Sequence, residues 1–487
     1  MSGLSRRNFL KVAGMGALVA GCSPIIDNGL QTTNPLTEEM ATIQASNRTV
    51  HFLNRASFGA TPELVTAVNE TGIEAWFEQQ MDYKSLDDLQ TNLRLRRFDT
   101  LNMTPGDLLS FVRVPDRTDV ANQLAAAMLV RAIYSNRQLF EVMVHFWSDH
   151  FSIYYFKEAT SNLQTVDDRD VIRANAVGNF GEMLTASAHS PAMLVYLDNV
   201  VNEKSHPNEN YAREIMELHT LGVTGAYTED DVLEVARCFT GWSVSDRGTF
   251  EYRSSWHDDG EKTVLGHVIP AGGGKSDGDR VLEILINHLD TAHYVSSKLC
   301  RRFIEDEPSE TVISDISRVW TQSQGDIPTI MRAIFTHDAF WNAPPKFKRP
   351  LEYVISTLRV LRANYNGSEQ LVDRLSTMGH RPFGYATPDG YPDTATEWVG
   401  SFVPRWNFAQ DATHGGQNGI SIPIQQWTEF ANQYGRDALA RAVLQRDIND
   451  IERDAINSVV ENKMRYGLHD IRQILAILIS SPSFQWR

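Results

Sequence analysis

The chain has 487 residues, with 45 Lys and Arg against 61 Asp and Glu, for a net charge of −16. Such an acidic balance argues against nucleic acid and anionic headgroups as partners, since both select clustered basic side chains. The length suits two to three domains, or one large helical body with an appendage.

The first stretch in chain order is Ser5-Arg6-Arg7-Asn8-Phe9-Leu10-Lys11, followed by a weakly apolar run to Ala20 and then Gly21-Cys22. Paired arginines before a short apolar run read as a twin-arginine export signal over residues 1–21, in which Arg6 and Arg7 are recognised. Leu18-Val19-Ala20-Gly21-Cys22 has the small-residue spacing of a lipoprotein cleavage box, so Cys22 is expected to be acylated and to tether the protein to a membrane on the periplasmic or cell-surface side. Cleavage removes Arg6, Arg7 and Lys11 and no acid, which takes the net charge from −16 to −19. With Cys22 lipidated, Cys238 and Cys300 are left as one disulfide or as two buried thiols.

Residues 22–46 lack periodicity and read as a tether, with the fold beginning near Asn47. Apolar residues at three-to-four spacing then predict helices over 124–151, 171–187, 208–221, 229–240, 281–303, 327–340, 350–364, 437–445 and 468–480. Thr228 before Glu229, Asp230 and Asp231 reads as an N-cap, and Gly241 as the C-cap of the same helix. Phe250–Arg253 and Thr263–Val268 look like the two strands of one hairpin, with Asp259-Gly260 in its turn. Residues 376–420 read as a long ordered loop, because Trp398, Phe402, Trp406 and Phe408 need burial. The expected fold is mainly α: a multi-helical, bundle-like body over 47–365 with a small β-hairpin insertion at about 249–270, and a loop and helical segment over 366–487 packed on it.

Three constellations could carry chemistry. Glu141, His145 and Asp149 lie four apart and line up on one helix, an arrangement suited to a metal or to a general base held in one tautomer; the bland alternative is a polar edge. On the Asn208–His219 segment, Glu209, Arg213 and Glu217 run along a flank and Glu214 pairs with Glu217, which invites either ion pairing with Arg213 or a hard cation. His257-Asp258-Asp259-Gly260-Glu261 crowds one turn, where only the histidine asks for more than turn chemistry. Gly272-Gly273-Gly274-Lys275-Ser276 lacks the leading glycine of a phosphate loop, and neither H-E-x-x-H nor C-x-x-C occurs.

Several blocks in order resemble the bacterial domain-of-unknown-function family 1800: His51 to Pro62, Phe146-Trp147-Ser148-Asp149-His150-Phe151, Pro191 to Asn199, Asn208 to Gly222, Tyr227 to Val232 with Thr240-Gly241-Trp242, and His257 to Gly266. The resemblance spans nearly all of the chain beyond the tether. It implies an exported, largely helical protein without an established activity, often encoded beside a second exported family, 1501, related to sulfatases and alkaline phosphatases. The pattern carries onto Arg55, His150, Asp198, Asn208, Glu209, Asn210, Arg213, Glu214, Glu217, Asp231, Arg237, Trp242, His257 and Gly266, and His145 departs from it. Gly390-Tyr391-Pro392 matches the family's Gly-Trp region only loosely.

These readings lead to an exported lipoprotein acting as a metal-dependent hydrolase on extracytoplasmic material. One divalent ion, of unspecified identity, would be held among His150, Glu214, Glu217 and His257, with Glu209 moving a proton and Arg213 orienting the acids or an anionic substrate group. The alternative is a non-catalytic scaffold or accessory partner of a sulfatase-like family 1501 protein, in which the same residues form buried ion-pair networks. A third reading is carbohydrate binding by the aromatic loop.

Overall fold

Alanines and aliphatic side chains fill the segment from Val120 to Tyr134, and nearly all of it is buried as one helix. A helix apolar all round belongs at the centre of a body. Asp119 starts it, its carboxylate accepting from the Asn122 N–H at 2.8 Å. Around it pack helices Leu89–Leu95, Thr160–Asp167, Pro350–Val360 and Glu369–Thr377. The computed structural model describes residues 36–38, 40, 47–111, 119–157, 159–415, 419–461 and 463–487. Arg6, Arg7, Cys22 and most of the tether lie outside the described residues.

The fold is mainly α, with three two-stranded antiparallel sheets among the described residues. One hydrophobic cluster runs from Met40 and Phe52 through to Phe484. Residues 366–487 share it: helix Phe402–His414 packs along Leu468–Ser480 and against Pro350–Val360, while β5 (Asn364–Tyr365) pairs with β6 (Ile420–Ser421). No described helix is long and apolar enough to cross a membrane. Cys238 and Cys300 are free, buried thiols, both pushed up to about 12 by burial.

Several elements depart from their sequence reading for local reasons. The helix expected over 281–303 is two, Ser276–Ile286 and Leu289–Phe303, because His288 Nδ1 accepts from the Asp290 N–H at 3.1 Å and caps the second. The helix expected over 208–221 is α-helical only from Glu209 to Glu214 and continues as a π turn, Ile215–Thr220, in which the Leu221 N–H reaches the Met216 carbonyl at 2.7 Å. Such bulges concentrate at functional sites. The single hairpin is replaced by two: β1 (Trp242–Val244) pairs with β2 (Phe250–Tyr252), and β3 (Lys262–Val264) with β4 (His267–Ile269). Leu265 and Gly266 make the second turn with φ of 51° and 78°, the pair of positive values a tight hairpin favours. The Asp231 carboxylate that completes the Thr228 cap also accepts from the Leu265 N–H at 2.7 Å and pins this turn. Gly241 has a φ of 83°, yet its N–H donates to the Asn202 carbonyl rather than back to the helix; a Cβ there would lie 2.7 Å from the Arg253 carbonyl oxygen.

The expected loop over 376–420 contains helix Phe402–His414, so its irregular part ends near Ser401. Trp398 and Phe408 are buried as expected, but Phe402 and Trp406 are 57% and 52% exposed. They sit four apart on the solvent side of a helix whose Phe408, Ala409 and Ala412 face the core.

Candidate functional site

Four distant segments converge on one cleft of about 210 Å³: the end of helix Gln138–His150, the face of helix Leu289–Phe303, the start of helix Pro350–Val360, and the loop Asp389–Asp393. Four cationic side chains, Lys298, Arg301, Arg302 and Arg349, line it against three carboxylates, Asp149, Asp389 and Asp393.

Helix Leu289–Phe303 supplies Tyr294, Lys298, Arg301 and Arg302 at spacings of four, three and one, one face of a helix. Lys298 and Arg302 are cations four apart, which opposes an isolated helix, so the pairing needs negative charge from elsewhere. Arg302 finds it in Glu352, with which it forms a buried ion pair, and in Asp393, whose Oδ2 is 3.6 Å away. Arg349 donates through Nη1 to Asp149 Oδ2 at 2.8 Å and through Nε to Glu352 Oε1 at 3.2 Å. Burial opposes ionisation of Asp393, but Lys346, Arg349 and Arg302 outweigh it and hold the carboxyl at about 2. Glu352 is held well below the usual range in the same way, burial being overcome by Arg302, Arg487 and Arg349.

Lys298 is the exception. Its ammonium makes no hydrogen bond and no ion pair with any described residue, and stands 5.6 Å from the centre of the Tyr294 ring. Burial pulls its pKa down to about 8 against the opposing fields of Asp149 and Asp389. Two further donors, Arg302 Nε and Arg349 Nη2, are sealed from solvent without a partner. Buried N–H groups of this kind call for an acceptor.

The loop wall is set by Gly390, which has a φ of 76° and leans on the backbone of Asp149. Tyr391 donates its hydroxyl to the Arg381 carbonyl at 2.8 Å and packs its ring 4.2 Å from that of His380. Asp389 accepts from the Thr387 hydroxyl at 2.5 Å. On the opposite side His150 is 1% exposed among Phe146, Trp147, Phe151 and Phe180. Its Nε2 donates to the His219 carbonyl at 3.1 Å, and its Nδ1 has no partner. Burial, then Lys298 and His219, hold His150 well below the ordinary histidine range; burial takes His219 down to about 3. Both rings are neutral at pH 7.

The sequence-predicted residues divide. Glu141, His145 and Asp149 do share a helix line, but each goes its own way: Glu141 grips Arg173 at 2.9 and 2.6 Å, and Asp149 takes Arg349 at 2.8 Å. His145 Nδ1 is 3.6 Å from Asp149, and burial holds its ring down at about 4. Arg213 is clasped by Glu229 at 2.9 and 2.6 Å and meets Glu209 at 3.3 Å and Glu217 at 4.0 Å. Glu214 is half-buried, its carboxyl raised by burial, then by Glu217 and by Asp389 of the cleft. His257 belongs to another group. Its Nδ1 donates to the Thr240 carbonyl at 2.8 Å, its Nε2 faces Asp277 Oδ2 at 3.1 Å, and Lys262 donates to the same oxygen at 2.6 Å.

Among the described residues no three His, Cys, Asp or Glu side chains stand together as a metal-binding group. Lys298, Arg301, Arg302, Arg349, Asp389 and Asp393 went unremarked in the sequence. The available signal was Lys298-Leu299-Cys300-Arg301-Arg302, three cations within the last two turns of an amphipathic helix.

No curated protein and no solved structure matches this chain. The family described as "Protein of unknown function (DUF1800)" matches residues 51–486, and the chain belongs to that family.

Proposed function

We propose that the cleft binds the anionic group of an extracytoplasmic ligand, and that the protein is an exported, lipid-tethered accessory or scaffold module working beside a sulfatase-like partner. The observation that carries this reading is Lys298, a half-buried side chain whose ammonium has no protein partner, flanked by Arg302 and Arg349 with N–H groups to spare. Guanidinium and ammonium groups together suit a tetrahedral or planar oxyanion. The family resemblance supplies the partner, an enzyme class that handles sulfate and phosphate esters. Thermal unfolding in a series of sulfate, phosphate, acetate and chloride at constant ionic strength tests the reading. The oxyanions should raise the midpoint in a concentration-dependent way, and an equal response to chloride would count against it.

The hydrolytic reading rests on Glu214. A carboxyl whose pKa is raised by burial, then by Glu217 and Asp389, is suited to act as a general acid, and it lies within electrostatic reach of the cleft. Of the residues first named for a metal, His257 has both nitrogens engaged in a separate buried group, whereas His150 donates its Nε2–H to a carbonyl and keeps Nδ1 without a partner. The step drawn from Glu214 is proton transfer to a leaving oxygen. Turnover of a phosphate or sulfate ester that is lost in Glu214→Gln, with oxyanion affinity unchanged, would establish it; absence of turnover leaves the accessory role.

A further inference from the structure

A second cavity, of about 360 Å³, opens where helices Leu89–Leu95 and Val120–Tyr134 meet the π turn Asp168–Ile172. Its charged lining is four arginines, Arg96, Arg131, Arg169 and Arg173, against one carboxylate, Asp168. Two of the arginines are committed elsewhere. Arg173 holds Glu141, and Arg169 holds Asp170 together with the carbonyl oxygens of Leu101 and Met103. They contribute field rather than free donors.

Arg131 and Thr165 are different. Arg131 Nη1 is sealed from solvent without a hydrogen-bond partner, and the Asp168 carboxylate is 3.7 Å from it. Thr165 is 1% exposed, and its hydroxyl also has no partner. Arg96 lines the same cavity from an exposed position. Buried donors left open beside excess positive charge are the makings of an anion site.

We infer that this cavity is a second binding site, for a small molecule carrying a phosphate or sulfate group that accepts from Arg131 Nη1 and the Thr165 hydroxyl. The volume lies in the ~300–1,000 Å³ range of small-molecule pockets, so an organic remainder is accommodated along with the oxyanion. Asp168 is a single carboxylate against four guanidiniums, and burial raises its pKa. The site shares no lining residue with the Lys298 cleft.

The test titrates the full chain carrying Lys298→Met, in which the cleft is disabled, with inorganic phosphate and inorganic sulfate by calorimetry. Double variants adding Arg96→Ala or Thr165→Val are run beside it. The inference expects one residual site, weakened about 5- to 10-fold by either addition, with the Arg96→Ala melting midpoint unmoved because that side chain is exposed. A preference for phosphate or for sulfate assigns the ester and supports the site either way. No residual binding of either ion, or residual binding indifferent to both additions, overturns it. If the cleft reading alone fails, Lys298→Met will match the unaltered protein while Arg96→Ala still lowers affinity, so the two outcomes are distinguishable.

Discussion

Gly390 approaches the end of helix Gln138–His150 so closely that a Cβ built on it would lie 2.0 Å from the carbonyl oxygen of Asp149. The contact seats the loop Asp389–Asp393 against the residue that Arg349 holds, so the cleft depends on a missing side chain. Gly390→Ala meets two costs, a positive φ and a backbone clash that no rotamer relieves. Together they amount to about 2–4 kcal/mol. Thermal or urea unfolding should show that loss, and oxyanion affinity should fall with it.

Arg302 and Glu352 form an ion pair with both side chains almost wholly buried. Removing one partner strands the other charge, at a cost of about 3–5 kcal/mol. Glu352→Gln should therefore lower the urea midpoint sharply, whereas a paired change to uncharged side chains of similar volume should recover much of it. A double-mutant cycle measures the difference.

The helical body was legible because its apolar spacing is regular: Leu468–Ser480 and Glu229–Phe239 form where the period and the Thr228 cap place them. The family was legible from its ordered blocks. The strand pairing was not, because Asp259-Gly260 carries turn letters while the actual turn uses Leu265, held at positive φ by Asp231 from a different element. The cleft was least legible. His150, Lys298, Arg349 and Gly390 come from four separated segments, and one sequence has no means of recording that they meet. His150 and Glu214 were singled out in the sequence; the aromatic packing around the first and the burial that raises the second's carboxyl come from other segments and were not legible there.

Stability should fall in acid in two stages. His145 and His219 are neutral in the fold, at about 4 and about 3, with burial as the main cause. The unfolded chain takes up their protons first, so stability drops as pH falls from ~6.5 through those values. Asp393, held at about 2 by Lys346, Arg349 and Arg302 against its burial, contributes stability above the ordinary carboxylate range that is lost as pH falls toward 2. The shift is worth about 2 kcal/mol. Urea midpoints against pH should show both limbs, and Asp393→Asn should flatten the lower one alone.

Lys262, Asp277 and His257 form a fully buried group, none of which lines the cleft. Asp277→Asn leaves the Lys262 ammonium without its carboxylate and should destabilise the protein by about 3–5 kcal/mol. If any oxyanion site persists, its affinity at a temperature where the variant is still folded should equal that of the unaltered protein. A loss of affinity would place His257 in the binding machinery after all.

Whether Lys298 receives an oxyanion is measured most directly by a calorimetric titration of sulfate into the protein beside Lys298→Met and Lys298→Arg. Loss of one charge-assisted hydrogen bond, ~1.5–3 kcal/mol, predicts binding about 10- to 100-fold weaker at the cleft in Lys298→Met, with partial retention in Lys298→Arg and all three folded alike. Identical isotherms for the unaltered protein and Lys298→Met would contradict the account.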